Sequence, residues 1–288
     1  MTPVTPPAWT HGYITTNGVK LHYVTQGKGA LMLMLHGFPE FWYSWRHQIP
    51  EFAQNFQVVA LDLRGYNDSD KPKDKSAYVM SEFVKDVEGV IKGLGHEKCI
   101  LVGHDWGGAI AWNFAYDYPH MVEKLIILNL PHPAKFAQGL RTFRQLLRSY
   151  YIFVFQLPWL PELLIKYSNY QAIATAFQGM AVDKTAFTQA DIDTFKAAAA
   201  KPAALTAMLN YYRNIFGQRI LNKNWPILAI PTLMIWGEND TALGKELTYD
   251  TQAYVREFQL KYIPNCSHWV QQEQPKLVNQ YMREFLGI

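Results

Sequence analysis

Short uninterrupted apolar runs alternate along this chain with longer segments whose apolar residues recur at helical spacing. That alternation predicts an α/β architecture: a mostly parallel sheet with helices on both faces. Residues 31–35, 58–63, 99–102 and 125–128 are runs fit for buried strands, and 232–236 and 258–263 resume the pattern near the C-terminal end. Upstream, Asn17-Gly18 separates residues 13–15 from 19–24, which reads as a hairpin turn. The sheet is therefore expected to begin with an antiparallel edge and to hold eight strands. Between the runs at 58–63 and 99–102, Val79, Phe83, Val84, Val87, Ile91 and Leu94 mark one face of a helix that should bind the sheet. Pro275 is placed to open a final helix.

The segment 134–216 breaks the alternation. It has no clear core strand and is rich in helix formers and aromatic residues, among them Phe143, Tyr150, Tyr151, Phe153, Phe155 and Trp159, with an alanine run at 197–200. It reads as a helical cap inserted between two core strands, leaving residues 1–133 and 217–288 as the core. Most of these aromatics are expected to be packed core side chains.

Composition narrows the function without naming it. With 288 residues, 49% of them hydrophobic, the chain can bury a large core as one α/β unit. Lys and Arg number 27 against 24 Asp and Glu, a net +3 that gives no sign of a nucleic-acid or membrane-surface partner. Cys99 and Cys266, the only cysteines, fit buried thiols in a reducing compartment better than a disulfide framework. The stretch from Met1 to Pro7 lacks the basic and apolar regions of a secretory signal, so a cytoplasmic location is expected. No stretch is apolar enough to span a bilayer. Residues 150–165 come nearest, but Gln156, Pro158, Pro161 and Glu162 interrupt them. Monomer and homodimer are both left open.

The chemistry is concentrated in Gly103-His104-Asp105-Trp106-Gly107. An apolar run precedes it and a helical pattern from Gly108 to Ala115 follows, so it has the form of a nucleophile elbow carrying aspartate in place of serine. A sharp strand-to-helix turn would push Asp105 into a strained, exposed position, with glycines letting the backbones pass closely. A plain turn in which Asp105 caps the helix would use the same residues. Partners follow in the order nucleophile, acid, histidine. Asp240 lies in Gly237-Glu238-Asn239-Asp240 directly after one strand, with Glu238 as a competitor, and His268 lies directly after the next. His268 would activate a water, and Asp240 would hold its imidazole in the required tautomer. After the run at 31–35, the segment His36-Gly37-Phe38-Pro39-Glu40 is placed to turn the Phe38 amide toward the elbow, where with the amide of Trp106 it would form an oxyanion hole.

With these residues assembled, the chain resembles the α/β-hydrolase superfamily and, within it, the epoxide hydrolases of the soluble type. The likeness covers nearly the whole chain, through HGFPEFWYSWRHQ at 36–48, DLRGYNDSDKP at 62–72, VGHDWGG at 102–108, WGEND at 236–240 and CSHW at 266–269. Tyr151 and Tyr212 stand in contexts matching that family's paired acid tyrosines. Asn67 departs from the glycine usual there, at a turn where asparagine tolerates a left-handed backbone. The resemblance implies the α/β-hydrolase fold and epoxide opening through an alkyl ester on Asp105. Tyr151 and Tyr212 would donate to the ring oxygen, and His268-activated water would release a vicinal diol. It implies no cofactor and no metal, and a small apolar epoxide and water as the only partners. His36, Pro39, Phe155, Leu243 and Trp269 are the expected substrate contacts.

The rival enzymes are dehalogenases using the same aspartate. Phe38 stands where one large haloalkane dehalogenase group has asparagine. Ala109, Ile110, Ala111 and Trp112 supply none of the arginines that haloacetate dehalogenases place after the elbow. A non-catalytic ligand-binding α/β hydrolase is the reading from another class.

Overall fold

A computed structural model describes residues 9–215 and 224–288. The N-terminal Met1 to Pro7 stretch and the expected cap boundary at 216/217 lie outside the described residues. The sheet has eight strands: β1 (Thr10–Thr16), β2 (Val19–Gln26), β3 (Leu31–Leu35), β4 (Gln57–Leu61), β5 (Cys99–His104), β6 (Val122–Leu128), β7 (Thr232–Gly237) and β8 (Phe258–Ile263). Their order across the sheet is β1-β2-β4-β3-β5-β6-β7-β8. Only the β1/β2 and β2/β4 pairings are antiparallel. Asn17 and Gly18 turn the first hairpin at φ 48° and 73°, the left-handed pair that a two-residue loop of this type requires.

Position in the sheet explains the composition of each strand. Leu-Met-Leu-Met-Leu in β3 has neighbours on both sides and is buried at every position, whereas the outermost strands β1 and β8 are partly exposed and carry polar residues. Several strand ends differ from the sequence pattern, among them those of β4 and β5. β4 stops at Leu61 rather than Leu63: the Leu63 amide goes to the His36 ring instead of a strand, and the Asp62 carboxylate is taken by the Trp42 amide, by His22 of β2 and by Asn67. β5 runs on to His104, where Gly103 and His104 still pair with Ile127 and Leu128 of β6.

The helix Met80–Gly93 buries Phe83, Val84, Val87 and Ile91 at the predicted spacing. The final helix begins at Pro275 and runs to Leu286. Between β6 and β7 the described residues form helices and loops, with an isolated bridge of Leu228 to Val255. This helical layer is fastened to the core by Tyr211, whose hydroxyl donates to the Arg64 carbonyl at 2.7 Å. The Asn214 amide likewise donates to the carbonyls of Lys75 and Tyr78. Asn67 sits at φ 39° with its amide on Asp62, so the departure from glycine is absorbed by the one larger side chain best suited to that backbone.

Candidate active site

Asp105 joins β5 to the helix Trp106–Asp117 at φ 48° and ψ −120°, a conformation a non-glycine residue adopts only under constraint. The constraint is the closeness of the crossing chains. A Cβ on Gly107 would overlap the Leu35 carbonyl, and one on Gly37 would overlap the Asp105 side chain. The Asp105 side chain is thereby held at the carboxyl edge of the sheet. Its Oδ1 accepts the Phe38 amide at 2.8 Å. Trp106, as the first residue of its helix, has an amide that no intrahelical carbonyl takes.

His268 and Asp240 converge on the same point from the ends of β8 and β7. His268 Nδ1 is 2.7 Å from Asp240 Oδ2, and its Nε2 is 3.6 Å from Asp105 Oδ2. Asp240 is fixed by further donors: Asn129 Nδ2 at 2.7 Å on Oδ2, and the amides of Ala242 and Leu243 at 2.8 and 2.9 Å on Oδ1. Glu238, its competitor in sequence, points instead to Lys245 and is partly exposed. The histidine is buried, which disfavours its charge, yet Asp240 and then Asp105 hold its pKa up to about 10. Burial acts to raise the Asp105 carboxyl, but the contact with His268 and the Phe38 amide hold it below its ordinary value, so it is ionised.

Two phenols hang over this carboxylate from the helical layer. Tyr151 comes from helix Tyr150–Val154 and Tyr212 from helix Ala204–Arg213, with ring centroids 5.8 Å apart and planes at 82°. Their separation is set from behind. The Gln156 amide donates to the carbonyls of Ile152 and Tyr212, and Arg213 donates to the Phe155 carbonyl while gripping Glu162 with both terminal nitrogens. Burial, and next the Asp105 charge, raise both phenol pKa values well above the ordinary one, so both keep their protons. Asp105, Trp106, Tyr151, Tyr212 and Leu243 border one narrow cavity of about 60 Å³, closed by apolar side chains such as Met80, Leu130 and Phe136. A roomier open groove of about 810 Å³ lies beside Trp159 on the outer surface, away from Asp105.

Residues 30–275 match the model of a family described as alpha/beta hydrolase fold. Epoxide hydrolase 4 of Homo sapiens is 41% identical over 98% of this chain and 80% of that protein, and epoxide hydrolase 3 of Xenopus tropicalis is 41% identical over 96% and 77%. A Bacillus megaterium epoxide hydrolase, solved in complex with an inhibitor, superposes with a TM-score of 0.89 at 40% identity, covering 96% of this chain and all of that one. The chain belongs to the α/β-hydrolase family, in its epoxide hydrolase branch.

Within this α/β hydrolase the expected substrate contacts fall into three groups. Leu243 borders the cavity. Phe155 stands one layer behind it, edge-on to Phe38, Tyr151 and Tyr212, and Trp269 packs beside His268 with its indole N–H on the Ala176 carbonyl. His36 and Pro39 are a correction. Both are buried outside the cavity lining, and both His36 nitrogens are committed, Nδ1 at 2.8 Å to the Gly37 carbonyl and Nε2 accepting the Leu63 amide at 3.1 Å. The ring shapes the loop that carries Phe38 and packs against Tyr66.

Three positioning residues escaped the sequence reading. Asn129, at the end of β6 and at φ 40°, ties Asp240 to the Gly237 amide. Glu40 and His104 form a fully buried pair at 2.6 Å. His104 also reaches the His268 carbonyl at 2.9 Å, while Glu40 accepts the Gly37 amide and the side-chain amides of Gln271 and Gln272. Their position at the carboxyl ends of adjacent strands was the available signal. Among the described residues His22, Asp62 and Asp68 bring ligand-type atoms within 4.8 Å of one another. The Asp62 carboxylate is already saturated by His22, Asn67 and the Trp42 amide.

Proposed function

We propose that this chain hydrolyses epoxides to vicinal diols through an alkyl ester on Asp105. The observation that carries the reading is the pair of protonated phenols, Tyr151 and Tyr212, sharing one apolar cavity with an ionised carboxylate whose Oδ1 already holds an amide donor. Oδ2 is then the attacking oxygen. It forms a bond to a ring carbon as the C–O bond breaks, and a phenol supplies the proton or hydrogen bond that the leaving alkoxide needs. A phenol suits that task because its proton is retained at neutral pH and its basicity matches an alkoxide far better than a carboxylic acid's. Oδ1 becomes the ester carbonyl oxygen, facing the Phe38 amide and, with the Trp106 amide, the charge of the tetrahedral intermediate.

Ester formation also changes the histidine. In the free enzyme His268 is an imidazolium between two carboxylates, unable to act as a base. Alkylation neutralises Asp105 and removes part of what holds the ring's proton. His268 can then give that proton to the alkoxide or phenolate left by ring opening, take one from water attacking the ester carbonyl and pass it to the departing diol oxygen; the proton of the regenerated Asp105 carboxyl restores the imidazolium, while Asp240 keeps Nδ1 protonated throughout. No step calls on a cofactor or metal.

We assign residues 134–216 as the cap that carries the phenols, with 1–133 and 217–288 as the hydrolase core. Its apolar lining favours a small apolar epoxide as substrate, and two buried unpaired cysteines favour a cytoplasmic setting. A single-turnover reaction with a styrene-type epoxide in ¹⁸O-water tests the route: the first diol should carry an unlabelled enzyme oxygen and Asp105 should gain the label. Label in the first diol refutes the ester. Halide release from haloalkanes in the absence of diol formation would assign the aspartate to a dehalogenase.

A further inference from the structure

The helical layer turns an unusual amount of apolar surface to water. Among the described residues fifteen large apolar side chains are exposed, and ten of them fall within residues 143–167. In helix Leu160–Tyr167 the stripe at helical spacing, Leu160, Leu163, Leu164 and Tyr167, would ordinarily face a core. Here Leu163, Leu164 and Tyr167 face outward, Tyr167 90% exposed, and Leu160 is half-buried, while the inward side holds Pro161, Ile165 and the Glu162 that Arg213 grips. Phe143, Leu147, Tyr150 and Val154 repeat that spacing and are exposed as well. Trp159, 68% exposed, is held at φ 51°, a backbone that bulky residues rarely adopt. Exposed large apolar side chains gathered this densely along one segment mark an interaction surface.

Charge identifies the partner. Residues 134–182 carry five cations, Lys135, Arg141, Arg144, Arg148 and Lys166, against the single acid Glu162, which is already paired. Lys135 is largely buried and lies 3.8 Å from Asp250, Glu246 of the core offers Arg144 and Arg148 only distant contact at 3.7 and 3.8 Å, and Arg141 and Lys166 are exposed. The near balance of the whole chain hides this local excess.

We propose that this face docks on an anionic lipid surface, its aromatic and aliphatic tips entering the acyl boundary and its cations meeting the headgroup phosphates. A second copy is the poorer occupant, since a two-fold contact would set the same cationic patch against itself. No helix among the described residues is long and apolar enough to cross a membrane. The face adjoins the site, for helix Tyr150–Val154 shows Tyr150 and Val154 to solvent and Tyr151 to the cavity. The inference does not depend on which substrate Asp105 attacks.

Flotation with vesicles tests it. The protein should rise with phosphatidylcholine vesicles containing phosphatidylglycerol and bind at least about ten-fold less to phosphatidylcholine alone or in high salt. A Trp159→Ser, Leu163→Gln, Leu164→Gln variant and an Arg141→Glu, Lys166→Glu variant should each lose binding by a similar factor. All these side chains are exposed, and turnover of a water-soluble epoxide should be unchanged. Failure of the wild-type protein to float with anionic vesicles, or equal binding by the variants, overturns the proposal. So does light scattering that shows a dimer dissociated by the apolar variant, which would assign the face to a second copy.

Discussion

Replacing Asp105 with asparagine imitates the charge of the alkylated enzyme and should release the proton that His268 holds. The ring lies 3.6 Å from the Asp105 carboxylate and is buried. At an effective dielectric of about 20, unit charges at that distance attract by about 4–5 kcal/mol. At about 1.4 kcal/mol per pH unit this corresponds to roughly 3 units. His268 should therefore fall from about 10 to near neutrality in Asp105→Asn, with Asp240 still holding Nδ1. Imidazole resonances of isotope-labelled histidine, followed between acid and alkaline pH, measure both values directly. A ring in the variant that titrates within one unit of the wild type would refute the claim that ester formation switches on the base.

The same shift fixes the direction of a stability change. The folded ring keeps its proton to about 10 whereas the unfolded ring loses it near 6.5, so its contribution is complete below 6.5 and is lost as pH rises toward 10. Wild-type stability should decline across that window, and Asp105→Asn should flatten the decline. Equal slopes for the two proteins would contradict the electrostatic account even if the resonances agreed with it.

Three other outcomes bear on the site. In His268→Gln the ester should form and persist, so intact mass should rise by one substrate on a peptide containing Asp105; an adduct elsewhere would displace Asp105 as nucleophile. Tyr151→Phe and Tyr212→Phe should each slow ring opening by about 10²-fold or more in single-turnover measurements, as expected for loss of a general acid, and the double variant should abolish it. Retention of opening in the double variant would make the phenols packing groups. Glu40→Ala removes one member of a pair that is fully buried on both sides and strands His104, the Gly37 amide and two glutamine amides, so it should cost about 3–5 kcal/mol in denaturant unfolding. A cost below about 1 kcal/mol would show that water enters and rescues those groups.

What was legible in the sequence was whatever local pattern alone determines. Eight strands, the hairpin at Asn17-Gly18 and the helix opened by Pro275 depend on periodicity and turn chemistry, and the elbow depends on glycines whose backbone crossings are enforced within a few residues. Strand ends were less legible because long-range pairing sets them: His104 stays in β5 only because Leu128 lies beside it. His36 was misplaced for a related reason. Its position in the chain brought it to the site, but nothing local shows that Leu63 and Gly37 claim both nitrogens. Asn129, Glu40 and His104 were missed because each acts through another residue, across separations of 64 to 164 positions. The exposed stripe of helix Leu160–Tyr167 shows the converse limit of periodicity. Spacing announces an apolar face but is silent on whether protein or solvent meets it, and here the inward face was claimed by an ion pair instead. Sequence periodicity thus constrains how a helix is sided, while its orientation is decided by the polar groups that must be satisfied inside. In this helical layer the grip of Arg213 on Glu162 sets that orientation, and with it both the spacing of the phenols over Asp105 and the apolar face left to water.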